Sequence, residues 1–236
     1  DSARVPYGTK SAPVVKQFSL QNSLFLLKHN VKLIVVACNS ASALALQFLQ
    51  ERLSIPVIGV IEPGVKALMK ESAGDPVGVI GTRATISSGA YQNAIKKYDE
   101  NRKIFVQPCP LFVPLIEEGM TNGEIPIKIA EYYLNSMKLE RIGALLLGCT
   151  HYPLMREVIA QVMGEAVTVV DSAGTTAESV KEELKQRGWL KSQGFPSLDF
   201  YASDVSSEIE RRSRAFFGGE LPVVKKVEFE VADFWV

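Results

Sequence analysis

With 236 residues and 26 basic against 26 acidic side chains, the chain carries no formal net charge, and nothing in its composition points to a nucleic-acid or anionic-membrane partner. Its 47% hydrophobic and 22% charged residues fit a globular protein long enough to bury a substantial core, expected here as two domains. Apolar runs such as Leu33 to Ala37 and Ala144 to Leu147 fall far short of a bilayer crossing, no signal-peptide pattern opens the chain, and three cysteines cannot all pair, so a cytoplasmic chain with reduced thiols is expected.

In chain order, Asp1 to Ser11 reads as a loop punctuated by Pro6 and Gly8. Apolar spacing predicts a helix from Pro13 to His29, then a β-branched strand over Leu33 to Ala37 and an alanine- and leucine-rich helix over Ala41 to Leu53. A strand over Ile55 to Ile61 and a helix over Val65 to Glu71 follow, then a strand over Val77 to Ile80 and a single helix over Ala84 to Lys97. Ile104 to Gln107 is strand-like, and Pro108, Pro110 and Pro114 delay the next helix to Leu115 to Gly119. Then come a helix over Ile125 to Met137, a strand over Ile142 to Leu147, a helix over Pro153 to Met163, a strand over Val167 to Val170 and a charged helix over Thr175 to Arg187. Beyond a linker at Ser192 to Pro196, a strand over Leu198 to Ala202, a helix over Val205 to Phe216 and a strand over Val223 to Val231 complete the alternation. Such alternation indicates the α/β class, with mainly parallel sheets flanked by helices.

Two stretches share one design: Val35 to Ala43, with Cys38, and Leu145 to Pro153, with Cys149. Each is a buried-strand pattern ending in a cysteine, followed by small polar residues and the start of a helix. That places each thiol at the carboxyl end of a strand, where open α/β sheets bind ligands, and at a helix N-terminus whose N–H groups favour a thiolate.

A lone cysteine in this position is more often a packing residue. Here Asn39 and Ser40 follow one cysteine and Thr150 and His151 the other, supplying donors where a core would continue apolar. Cys38, Cys109, Cys149 and His151 lack the tight spacing of structural zinc ligands, so no metal is expected. A one-thiol hydrolase would leave the second stretch idle. A racemase needs two acid/base groups on opposite faces of one carbon, and two thiols near the working pH meet that need, with His151 as partner or proton relay for Cys149. His29 and Cys109 read as structural, and Lys225, Lys226 and the Arg211, Arg212, Arg214 cluster as solvated surface.

Five motifs in this order closely resemble the glutamate racemases of the aspartate/glutamate racemase family: Val5-Pro6-Tyr7-Gly8-Thr9-Lys10-Ser11, Val36-Ala37-Cys38-Asn39-Ser40-Ala41-Ser42-Ala43, Gly59-Val60-Ile61-Glu62-Pro63-Gly64, Gly78-Val79-Ile80-Gly81-Thr82 with Thr85-Ile86, and Gly148-Cys149-Thr150-His151-Tyr152-Pro153-Leu154. The resemblance implies a cofactor-independent enzyme that makes D-glutamate for peptidoglycan, with Cys38 and Cys149 as its acid/base thiols, one for each enantiomer. It implies that Tyr7 and Gly8 meet the side-chain carboxylate, and that Asn39, Ser40 and Thr150 hold the amino and α-carboxylate groups, with Thr82 or Thr85 adding to them. His151 would be the helper beside Cys149, and Glu118 its acidic partner, with Glu117 the adjacent choice. It further implies two similar domains, residues 1–62 with 174–236 and residues 63–173, an active site in the cleft between them, and a homodimer.

In that family a strand and an Asp-Ser-Gly-rich motif come first, and Asp1-Ser2 is not that motif. A missing N-terminal segment, and with it a catalytic carboxylate and most of the activity, is therefore expected. The alternatives are aspartate or hydantoin racemase chemistry on the same fold, and a truncated, non-catalytic protein that binds an amino acid or a partner.

Overall fold

The computed structural model describes residues 1–206 and 223–229. A 3-10 turn at Tyr7–Thr9 leads into α1 (Ala12–Leu27), β1 (Ile34–Val36), α2 (Asn39–Gln50), β2 (Val57–Gly59) and α3 (Ile61–Glu71). Then follow β3 (Val77–Gly81), α4 (Arg83–Ser87), α5 (Ala90–Tyr98), β4 (Ile104–Pro108), α6 (Phe112–Glu117), α7 (Glu124–Leu139) and β5 (Ala144–Gly148). A second 3-10 turn at Tyr152–Met155 precedes α8 (Arg156–Met163), β6 (Thr168–Val170), α9 (Ala173–Gln186), β7 (Phe200–Ala202) and β8 (Val224–Lys226).

The largest sheet has the order β4-β3-β5-β6 and is parallel throughout, with Val77 opposite Ala144 and Gly81 opposite Gly148. Every residue of β3 and β5 is buried, the signature of central strands covered on both faces, and the reason their sequences are unbroken apolar runs. Alternation divides β5 between two cores. Leu145 and Leu147 pack with Phe112, Leu134, Tyr152 and Met155 under α6, α7 and α8. Ala144 and Leu146 pack with Val65, Leu68, Tyr91 and Ile95 under α3 and α5. Each leucine buried in this way stabilises the fold by roughly 2 kcal/mol before the entropy of ordering is subtracted.

A second, two-stranded parallel sheet pairs β1 with β2, Ile34 opposite Val57 and Val36 opposite Gly59. Its core joins Leu20, Ile34, Leu49 and Val57 between α1 and α2. A third pairs β7 with β8, again parallel. This is the α/β class expected from the alternation. Among the described residues, no helix is long and apolar enough to cross a membrane.

The structure corrects several boundaries. The helix expected over Ala84 to Lys97 is two, because Gly89 adopts φ +70°, a left-handed conformation that glycine tolerates and a continuing helix does not. Helices expected to wait until Val65 and Leu115 start at Ile61 and Phe112, so that Pro63 and Pro114 fall in a first turn. There the missing proline N–H has no helical acceptor to lose. The last expected strand shortens to Val224–Lys226, and nearly all of the helix expected over Val205 to Phe216, including Arg211, Arg212 and Arg214, lies outside the described residues.

Candidate functional site

A cavity of about 1040 Å³ opens at the carboxyl ends of β1, β3 and β5. Tyr7, Gly8, Cys38, Asn39 and Ser40 line it together with Thr82, Val113, Glu117, Cys149, Thr150 and His151. It extends along β1 past Ile34 and Val35 to Ser19, Asn22, Ser23 and Leu26 of α1. Among the described residues that line it there is no lysine or arginine.

Cys38 caps α2, so that its carbonyl accepts the Ser42 N–H at 2.8 Å. The helix begins at Asn39, two residues earlier than expected, which brings the N–H groups of Ser40 and Ala41 onto the Cys38 sulfur. Cys149 stands differently. The 3-10 turn separates it from α8, although Pro153 occupies the early position expected of it. Its sulfur receives the backbone N–H groups of His151 and Tyr152, and lies 3.9 Å from His151 Nδ1.

Burial pushes the Cys38 thiol up from its ordinary value, against the backbone N–H groups of Ala41 and Ser40 and the Ser40 hydroxyl. Burial likewise pushes Cys149 up to about 12, the charges of Cys38 and Glu117 adding to the shift and the N–H groups of His151 and Tyr152 opposing it. The helix N-terminus therefore does not bring the thiols near the working pH, as the sequence had suggested: desolvation outweighs it. Both thiols rest protonated, and a thiolate formed here would be a strong base.

The carboxylate that meets His151 belongs to Glu117, whose Oε1 lies 3.3 Å from His151 Nε2. Glu118, the residue preferred from the sequence, is exposed at the end of α6 and does not line the cavity. One step along a helix turns a side chain by about 100°, and α6 is held in phase by Phe112, Val113 and Ile116 in the core. Glu117, His151 and Cys149 thus form a chain from carboxylate to imidazole to thiol.

Ser40, Thr82 and Thr85 form a triangle of hydroxyls, with Ser40 Oγ 2.9 Å from Thr82 Oγ1 and 3.1 Å from Thr85 Oγ1, and 3.0 Å between the threonines. Thr82 also caps α4 by accepting the Thr85 N–H at 3.2 Å. Thr85 is fully buried and outside the cavity wall, so it braces Ser40 and Thr82 from behind. Gly8 sits against Thr82 so closely that a Cβ would come within 2.6 Å of Thr82 Cβ. The Tyr7 hydroxyl donates to the Asp1 carboxylate and accepts from Asn22 Nδ2 at 3.2 Å, while Thr150 is exposed with Oγ1 3.5 Å from His151 Nδ1.

Of the remaining residues, Cys109 is fully buried, with burial pushing its thiol up, and its carbonyl accepts the Tyr152 hydroxyl. His29 stacks with Phe25 and Tyr201 on the surface, and exposed Lys225 pairs with Asp199 at 2.8 Å. Among the described residues, no three His, Cys, Asp or Glu side chains gather as metal ligands. Tyr91, whose hydroxyl donates to Asn39 Oδ1, carried no signal in the sequence, where it reads as one more aromatic of a buried helix face.

Residues 2–180 match the Asp/Glu/Hydantoin racemase family. The chain is 46% identical over 233 residues to a glutamate racemase of Geobacter metallireducens, covering 98% of this chain and 86% of that one. It is 45% identical to a glutamate racemase of Aquifex aeolicus, over 98% of this chain and 86% of the relative. Its fold matches the crystal structure of glutamate racemase from Francisella tularensis in complex with D-glutamate with a TM-score of 0.91 at 36% identity, covering 98% of this chain and 86% of that one.

Proposed function

The chain belongs to the aspartate/glutamate/hydantoin racemase family, and from that membership we propose that it interconverts L- and D-glutamate without a cofactor, Cys38 and Cys149 acting from opposite faces of the α-carbon. The observation that carries this reading is that both thiols, from strand ends in two different sheets, line one cavity.

In one direction, one cysteine as thiolate takes the α-proton as the C–H bond breaks, and the other gives its S–H proton to the opposite face. The first is then a thiol and the second a thiolate, which is the arrangement the reverse reaction requires. His151, between Glu117 and Cys149, moves or balances the proton on the Cys149 side. Asn39, Ser40 and Thr150 hold the amino and α-carboxylate groups, with Thr82 adding a hydroxyl, and Tyr7 and Gly8 meet the side-chain carboxylate. With no lysine or arginine among the described lining residues, both carboxylates are held by neutral O–H and N–H donors. Such donors orient the substrate without pairing a fixed cation to the α-carboxylate.

The same reading places residues 1–62 with 174–236 in one domain and 63–173 in the other, in a cytoplasmic homodimer that supplies D-glutamate for peptidoglycan. The test is Cys38→Ser and Cys149→Ser, with α-deuterium wash-in followed separately from L- and D-glutamate. Each variant should keep exchange from one enantiomer and lose it from the other. Symmetrical loss in both variants, or no loss, overturns the two-thiol mechanism.

A further inference from the structure

Tyr91, on α5, is fully buried and stands behind the cavity wall. Its ring packs against the backbone of Gly148, the residue before Cys149, so closely that a Cβ on Gly148 would lie 2.9 Å from Tyr91 Cε2. Its hydroxyl donates across to Asn39 Oδ1 at 2.5 Å. A phenol in an apolar layer, here with Val79, Ile95 and Leu146, requires an acceptor, and the Asn39 amide oxygen supplies it.

A carboxamide is planar, with its oxygen and nitrogen in that plane on opposite sides of the Cβ–Cγ bond. With Oδ1 committed to Tyr91, the N–H2 group is what Asn39 has left for the cavity it lines. We propose that Tyr91 is a positioning residue: it locks the Asn39 amide so that donors face a substrate carboxylate, and it ties that amide to the strand carrying Cys149. This rests on the reading of Asn39 as a substrate-holding residue. A flipped amide would set its oxygen against a carboxylate, a repulsive contact in place of an attractive one.

The test is a double-mutant cycle of Tyr91→Phe and Asn39→Ala in the full chain, with KM and kcat for glutamate and thermal melting for each variant. Phenylalanine keeps the ring against Gly148, so the fold should hold while KM rises about tenfold for the lost orientation. In the Asn39→Ala background, Tyr91→Phe should then have almost no further effect on KM. If Asn39→Ala is impaired but Tyr91→Phe matches the parent, or its effect adds fully, the positioning role is wrong and the reading of Asn39 survives. If Asn39→Ala binds glutamate as well as the parent does, that reading fails and the proposal with it. Where Tyr91→Phe does not fold, nuclear magnetic resonance of the parent decides: a slowly exchanging Tyr91 hydroxyl proton close to the Asn39 amide supports the proposal, and a rapidly exchanging one overturns it.

Discussion

The two thiol walls start from one sequence design and end as different devices. Cys38 has a regular helix at its back, with two helical N–H groups and the Ser40 hydroxyl on its sulfur. Cys149 has a 3-10 turn, and a titratable chain through His151 to Glu117. The first favours its thiolate with fixed dipoles, whereas the second has a group that can itself take or give a proton. Two strand ends facing one cavity can therefore share a task and still be tuned by different physics.

Removing the thiols gives the largest expected effect on this comparison. Cys38→Ser and Cys149→Ser should each lower racemisation about a thousandfold, because a hydroxyl is a far weaker acid than a thiol and proton transfer at either face is then lost. Circular dichroism of glutamate turnover measures this, and comparable turnover in either variant would show that the corresponding wall is not part of the chemistry.

Next in size is the asymmetry itself. Glu117→Gln should lower turnover about ten- to a hundredfold, with deuterium wash-in impaired mainly for the enantiomer handled by Cys149, whereas Glu118→Gln should leave both unchanged. Equal impairment of both exchanges by Glu117→Gln would mean that the carboxylate serves the whole cavity rather than one wall.

What the sequence made legible follows the same divide. The apolar runs of β3 and β5 were legible as strands, and their burial on both faces is why no polar residue interrupts them. Cys38 and Cys149 stood out because polar residues follow them where a core would continue. Glu117 was harder, since choosing it over Glu118 depends on the phase of a six-residue helix anchored by Phe112 and Ile116. The 3-10 turn after Cys149 was hidden because Pro153 suits the first turn of either helix type. The raised thiols were hidden as well. A helix N-terminus can be read from a sequence, but how much water the folded cavity excludes cannot. Tyr91 shows the limit: its partner Asn39 is remote in sequence, and only the fold brings them together.

A smaller effect is expected in alkaline solution. Burial raises the Cys149 thiol from 9.0 to about 12, so above pH 9 the unfolded chain gives up a proton that the folded chain keeps. Stability attached to the protonated thiol is thus complete below about pH 9 and is lost as pH climbs toward 12. The slope is about 1.4 kcal/mol per pH unit for one such group. Denaturant unfolding across that window should show a shallower alkaline decline in Cys149→Ala than in the parent, and an unchanged slope would mean that water reaches this sulfur.

The smallest expected effect concerns what joins the two walls. Thr85 contributes no surface to the cavity, yet its hydroxyl meets Ser40 from the Cys38 wall and Thr82 from the strand beside Cys149. Thr85→Val keeps the volume and removes the hydroxyl, leaving Ser40 and Thr82 with each other at 2.9 Å. The cost should be about 1 kcal/mol, as for one buried hydrogen bond whose partners retain another. Chemical denaturation measures that cost, and KM reports whether the triangle also fixes Ser40 for substrate. A loss of stability with KM unchanged assigns Thr85 to the joint between the walls, whereas a raised KM with stability kept means that the joint holds its geometry through Gly8 against Thr82, and that Thr85 serves only to aim the Ser40 hydroxyl.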